Sequence, residues 1–225
     1  MKYTHIIWDF NGTILSDMQI CIDSVNEMLS RRELETIPDI EAYRRIFYFP
    51  VIDYYRRVGF EFSKEPYEEL AKTWINLYEK KFHRAKLTDN LSETLVTISG
   101  KGITQDIISA CDERMLENQL ANFKIRHFFR TVMGLDNIHA AGKTDIARAW
   151  RKNNPCAKAL FIGDTIHDAE AARESGCDCV LFSGGHQSRD RLISEKIPVV
   201  NNISEILNYI SVSYTHLRAH ETLSD

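Results

Sequence analysis

Residues Ile6-Ile7-Trp8 run straight into Asp9, and Phe10-Asn11-Gly12-Thr13 follow before the chain turns apolar again at Ile14-Leu15. An apolar run closed by a carboxylate and a Gly-opened turn reads as a buried strand that presents Asp9 at its C-terminal tip. Such a strand belongs in a sheet covered on both faces, and open α/β sheets place their ligands at the C-terminal ends of their strands. A carboxylate there can ligate a metal or act as a nucleophile. The competing reading is an Asp that caps a strand–helix turn.

The rest of the chain fits that sheet. From Ser16 to Leu87 the pattern is helical: apolar residues recur at helical spacing at Ile20, Val25, Met28 and Leu29, and again at Leu70, Trp74, Leu77 and Tyr78. Pro38, Pro50, Gly59 and Pro66 divide the stretch into several helices, and no strand alternation interrupts it. Beyond it, strands are expected at 103–110, 129–133, 159–162 and 179–182. Helices are expected at 115–122, 144–152, 168–175 (closed by Gly176) and 203–210. Strands alternating with helices predict an α/β fold with a parallel sheet covered on both faces. The expected organisation is a core of residues 1–15 and 88–211 with a helical insertion, 16–87. A chain of 225 residues can bury one core plus such an insertion.

The segment Val212-Ser213-Tyr214-Thr215-His216-Leu217-Arg218-Ala219-His220 breaks the preceding apolar pattern. It resembles the in-frame translation of a transposase sequencing adapter, so residues 212–225 are expected to lie outside the fold, and His216 and His220 receive no functional weight. A net charge of −4 gives no electrostatic reason to expect nucleic acid or an anionic membrane as partner. No apolar run reaches the length of a membrane span, and the first residues lead directly into the first strand without the pattern of a signal peptide. Five scattered cysteines (Cys21, Cys111, Cys156, Cys177 and Cys179) read as reduced thiols, mostly in the core, and the expected compartment is the cytoplasm. The sequence carries no signal for oligomeric state.

Three further sites carry chemistry. Ser109 closes the strand Asp106-Ile107-Ile108 and can donate to an anion, although a Ser opening a loop is common. Lys143, after Gly142 and at the start of a helix, can reach an anion as a compact point charge, where most lysines are solvated. In Phe161-Ile162-Gly163-Asp164-Thr165-Ile166-His167-Asp168, two carboxylates flank a turn between a buried strand and a helix. Such a pair suits a hard cation that prefers oxygen ligands, and the competing reading is helix capping. Glu170, two residues on, reads as helix surface.

In this order, the four motifs resemble those of the haloacid dehalogenase superfamily, in particular its phosphoglycolate phosphatase-like members, over residues 1–211. The resemblance implies a Rossmann-like core carrying a small helical cap and a Mg2+-dependent phosphatase acting on a small phosphorylated metabolite. It implies that Asp9 attacks phosphorus to form an aspartyl phosphate, and that Gly12, Thr13, Ser109 and Lys143 hold the phosphate. It implies a metal held by Asp9, Asn11 through its backbone carbonyl, Asp164 and Asp168.

One position departs from the family pattern. Where most phosphatases of the superfamily carry Asp-x-Asp-Gly-Thr, this chain has Asn11, and the missing Asp is their general acid/base. Such catalysis is worth roughly 10²–10⁴-fold. The leaving group then needs little help, or another group supplies the proton, or the protein is a non-catalytic or very slow binder of a phosphorylated ligand. His186 and His167, both near expected strand ends, are the candidate surrogates. Dehalogenation needs no metal and would leave Asp164, Asp168 and Lys143 without purpose. A phosphonatase-like C–P hydrolase is a further alternative; it would need a cap lysine from Lys64, Lys72, Lys80 or Lys81. Of the cap's mixed aromatics and arginines, Arg45 and Tyr54 are the candidate substrate contacts.

Overall fold

The computed structural model describes residues 2–135 and 142–211. The segment 136–141 and the tail 212–225, with His216 and His220, lie outside the described residues.

Strand β1 (His5–Trp8) is followed by the two-residue β2 (Leu15–Ser16) and four helices, α1 (Met18–Ser30), α2 (Ile40–Ile46), α3 (Val51–Arg57) and α4 (Tyr67–Lys81). The chain returns through β3 (Lys86–Leu87), which pairs antiparallel with β2, Leu15 opposite Leu87 and Ser16 opposite Lys86. The helical segment thus leaves and re-enters through one short ribbon. The helical periodicity between residues 16 and 87 is accounted for, and the two-residue strands at its ends are too short to show alternation.

The second half contributes α5 (Leu91–Gly100), β4 (Thr104–Asp112), α6 (Glu113–Asn122) and β5 (Thr131–Leu135), then α7 (Lys143–Asn153), β6 (Ala159–Gly163) and α8 (Ile166–Glu174). It closes with β7 (Asp178–Phe182), α9 (Arg189–Ile193), β8 (Val199–Val200) and α10 (Ile206–Ser211). The six-stranded sheet runs β5-β4-β1-β6-β7-β8, and all its pairs are parallel. The sequence pattern had not singled out α5, α9 or β8.

Adjacent residues of one strand serve opposite faces. Ile6 and Trp8 of β1 join Ile107 and Ile162 in the larger core with α1 and α5. Ile7 joins Ile108, Phe161, Ala147 and Trp150 in a second core under α7 and α8. This is why the strands read as continuous apolar runs. The indole N–H groups of Trp8 and Trp150 donate to Gln105 (3.1 Å) and Asp106 (2.9 Å), so neither large ring buries an unpaired donor. The cysteines are less uniformly internal than expected: Cys21 is buried, Cys111, Cys177 and Cys179 are partly buried, and Cys156 is exposed. Among the described residues no helix is long and apolar enough to cross a membrane.

Candidate active site

Asp9 directly follows β1, the central strand of the sheet, and its backbone N–H donates to Ile162 of β6 (2.8 Å). The next turn is set by Gly12, whose φ of +76° favours glycine. A Cβ at Gly12 would collide with Asp164 and His186, so glycine also lets the turn lie against both. The Gly12 N–H donates to Leu15 (2.8 Å) and to Asp17 (3.1 Å), and the Thr13 hydroxyl donates to Asp164 (2.9 Å). These two groups, which the resemblance assigns to phosphate, here build the turn and orient Asp164.

Asp164, one residue past β6, and Asp168, in the first turn of α8, are both fully buried. One oxygen of Asp168 accepts from the Asp164 N–H (3.1 Å), the Thr165 N–H (2.9 Å) and the Thr165 hydroxyl (2.7 Å). The capping character expected of it is thus carried by one oxygen, and the other faces Lys143. Lys143 opens α7 and is 3% exposed; its ammonium pairs with both Asp9 and Asp168. Ser109 lies near the C-terminal end of β4, buried, its Oγ accepting from the Cys111 N–H (3.1 Å) and its own O–H left to donate.

Asp9, Asp164 and Asp168 each bring a carboxylate oxygen within 4.8 Å of the others. Burial first, then the Asp168 carboxylate, pushes Asp9 well above the usual carboxylate range, although Lys143 pulls the other way. Burial raises Asp164 as well, while His186 opposes it. Burial would depress Lys143, but Asp168 and Asp9 hold it above its ordinary value. Three buried carboxylates against one ammonium leave negative charge uncompensated, and every donor is a hard oxygen. That donor set fits Mg2+, which takes one or two carboxylates and keeps several waters.

A cavity of about 210 Å³ lies over these groups. Asp9, Asn11, Ser109, Lys143 and His167 line it from the sheet side, and Tyr43, Phe47, Tyr54, Trp74 and Tyr78 from the helical segment. Tyr54 is buried and its hydroxyl has no hydrogen-bond partner. Arg45 is exposed and does not line the cavity; its neighbour Arg44 turns to the core instead, donating to the carbonyls of Gly185 and Gly184 (2.9 Å each). Glu170 is exposed, as expected.

Of the two candidate histidines, His167 is half-buried and His186 is buried. His167 packs on Phe49 (ring centroids 4.7 Å apart), its Nδ1 has no partner, and burial, then Lys143, lowers its pKa. His186 is buried in the loop after β7. Its Nδ1 shares a hydrogen bond with the Tyr43 hydroxyl (2.8 Å), and its Nε2 is 3.4 Å from Asp17. Burial would lower His186, but Asp17 raises it above its usual value. Asp17 in turn accepts from the Asn11 amide (2.7 Å) and the Tyr78 hydroxyl (2.7 Å). Against burial, His186, Tyr78 and Asn11 hold its carboxyl below the usual range. Sequence reasoning missed Asp17, Tyr43 and Tyr78. An Asp just before an amphipathic helix reads as an N-cap, yet Asp17 makes no side-chain cap bond to α1. Cys21 completes a second cluster with Asp17 and His186, but hydrogen bonds from Gly12, Asn11, Tyr78 and Cys21 itself already occupy the Asp17 carboxylate.

Residues 6–182 match the family described as haloacid dehalogenase-like hydrolase. The chain belongs to that family. This haloacid dehalogenase-like hydrolase is 26% identical over 183 residues to a protein named as a pyrophosphatase, PpaX, of Caldanaerobacter subterraneus, covering 78% of the present chain and 80% of the relative. It is 27% identical over 146 residues to the phosphoglycolate phosphatase of Pseudomonas savastanoi pv. phaseolicola. That match covers 62% of the chain and 53% of the relative, so the chain spans about half the length of this relative and of the Pseudomonas syringae pv. syringae phosphoglycolate phosphatase. A haloacid dehalogenase-like hydrolase from Streptococcus pneumoniae shares the fold, with a TM-score of 0.79 and 20% identity over 93% of this chain and 99% of the other.

Proposed function

We propose that this hydrolase is a Mg2+-dependent phosphate monoester hydrolase that acts on a small phosphorylated metabolite through an aspartyl phosphate on Asp9. The observation that carries the reading is the convergence of Asp9, Lys143, Asp164 and Asp168 at the C-terminal ends of β1 and β6 and the starts of α7 and α8, beneath one cavity. Asp9, Asp164 and the backbone carbonyl of Asn11 would hold Mg2+, with Asp168 direct or through water. Bound there, the cation supplies charge stabilisation for the phosphoryl group. Asp9 attacks phosphorus, Lys143 screens the approach of two anions, and the Ser109 hydroxyl donates to a phosphoryl oxygen.

The Asn11 amide brings neither acid nor base. The chain Tyr43–His186–Asp17–Asn11 ends at that amide, and both ring nitrogens of His186 are engaged within it, Nδ1 with Tyr43 and Nε2 with Asp17. The cap lysines do not supply a Schiff-base amine: Lys64 and Lys72 pair with Glu61 and Glu69, Lys81 pairs with Glu27, and neither these nor Lys80 lines the cavity. Dependence on Mg2+ and loss of at least 10³-fold activity in Asp9→Asn, measured as phosphate release from a panel of esters, are the expected results. Asn11→Asp is expected to raise turnover of alkyl phosphates by up to about 10²-fold. A wild-type protein silent on every ester and acyl phosphate, with turnover in Asn11→Asp alone, would instead make it a phosphate-ligand binder.

A further inference from the structure

The wall of the cavity facing Asp9 is built from Tyr43, Phe47, Phe49, Tyr54 and Trp74. Their rings are interlocked: Phe47 lies 5.1 Å from Tyr43 and 5.2 Å from Tyr54, and Trp74 stacks on Tyr78 at 5.0 Å. No Lys or Arg of α1–α4 lines it. Three of the four arginines of α2 and α3 are committed elsewhere, Arg44 to the Gly184 and Gly185 carbonyls, Arg56 to Asp53 and Arg57 over the Tyr48 ring, and Arg45 is exposed and does not line the cavity. On the opposite wall, Lys143 is held by Asp9 and Asp168, and His186 faces Asp17. An anionic leaving group, such as one bearing a carboxylate, would be buried here with no cation to meet it, which burial penalises heavily. The Tyr54 hydroxyl, on a residue 3% exposed, has no hydrogen-bond partner and is open to a polar substituent on a bound ring.

We infer that the leaving group is an uncharged aromatic alcohol, so that the preferred substrates are phosphate monoesters of phenols. The inference rests on the phosphatase reading of Asp9. It bears on the acid role that the Asn11 amide does not fill in the first half-reaction. Asp9 forms a bond to phosphorus, the bond from phosphorus to the phenolic oxygen breaks, and the electron pair leaves on that oxygen as a phenolate, which takes its proton from water. Water then attacks the aspartyl phosphate, returning Asp9 as a carboxylate and releasing phosphate. A phenol has a pKa near ~10, against about 15.7 for water, so its oxygen departs without the acid that an alkoxide needs.

The test compares 2-naphthyl phosphate with phosphoglycolate on the full chain. In Mg2+-dependent phosphate release, kcat/KM is expected to favour the naphthyl ester by at least about 100-fold, and Phe47→Arg to narrow that ratio by at least about tenfold. Equal rates, or a preference for phosphoglycolate, would overturn the inference. If neither ester is cleaved, the phosphatase reading is decided by the wider panel of esters and acyl phosphates, and calorimetric binding of the same two esters decides the pocket. Naphthyl phosphate binding at least about tenfold tighter supports the aromatic occupant, and equal or weaker binding rejects it.

Discussion

At the residue scale the governing contact is between the Asn11 amide and the Asp17 carboxylate, 2.7 Å apart. An Asp at position 11 would set two carboxylates side by side, one of them already held ionised by His186 and Tyr78. The like charges would raise the pKa of the new carboxyl above its unfolded value, so its cost is absent at low pH and grows as pH rises through the folded value. Asn11→Asp should therefore be destabilised by about 2 kcal/mol at pH 8 and by much less at pH 4.5, each unit of pKa separation counting about 1.4 kcal/mol. Thermal denaturation of both proteins at the two pH values checks this; an equal gap at both would refute it. His186 shows the same sign without mutation of its partner. Its pKa is raised by Asp17, so the pair stabilises the fold below the ordinary histidine pKa and loses that contribution as pH rises through the raised one. His186→Gln is expected to flatten the fall of Tm above neutral pH. Asp9, Lys143, Asp164 and Asp168 were legible because strand ends and chemistry-bearing residue types coincide in the chain. Asp17 was not, because its work is done by a side chain turned back toward Gly12, and no local pattern distinguishes that from capping.

At the element scale, two arginines fasten the α2 region to the core. Arg44 on α2 reaches the Gly184 and Gly185 carbonyls, and Arg191 on α9 donates to the Phe47 carbonyl just past the end of α2 (3.0 Å). Removing Arg44 leaves the carbonyls of half-buried Gly184 and buried Gly185 without this donor, at a stability cost of about 1.5 kcal/mol. The local cost should be larger. Hydrogen exchange in Arg44→Ala is expected to speed up across 40–57 while the sheet is unchanged; uniform acceleration over the chain would contradict the clamp. Sequence periodicity found the helices of this segment, and the mix of aromatics and arginines offered Arg45 as a candidate substrate contact, whereas Arg44 is the one that reaches the core. The choice between adjacent arginines depends on where a loop 140 residues away places its carbonyls. The same limit hid α5 and α9, whose apolar residues Leu91, Leu95 and Leu192 pack against distant strands and edges.

At the scale of the whole molecule, the concentration of buried carboxylate around Asp9 makes the protein's stability responsive to divalent cation. Binding to the folded state alone should stabilise it by about 2.7 kcal/mol at a hundredfold excess over Kd. Wild-type Tm should climb with Mg2+, while that of Asp164→Asn should be nearly flat; a parallel rise in both would place the cation elsewhere. The α/β class and the order of the four motifs followed from the chain, since a parallel sheet needs strands separated by helices. The ribbon of β2 and β3 has a separate consequence. Because Ser16 faces Lys86 across it, the two ends of the intervening helices emerge side by side, and a graft that replaces residues 18–85 would join to the rest without respacing the sheet. Asp17 must stay behind in such a graft, since Gly12 and His186 depend on it. An incoming segment would also have to supply equivalents of Tyr43, Arg44 and Tyr78, which reach across to His186, the Gly184 and Gly185 carbonyls and Asp17.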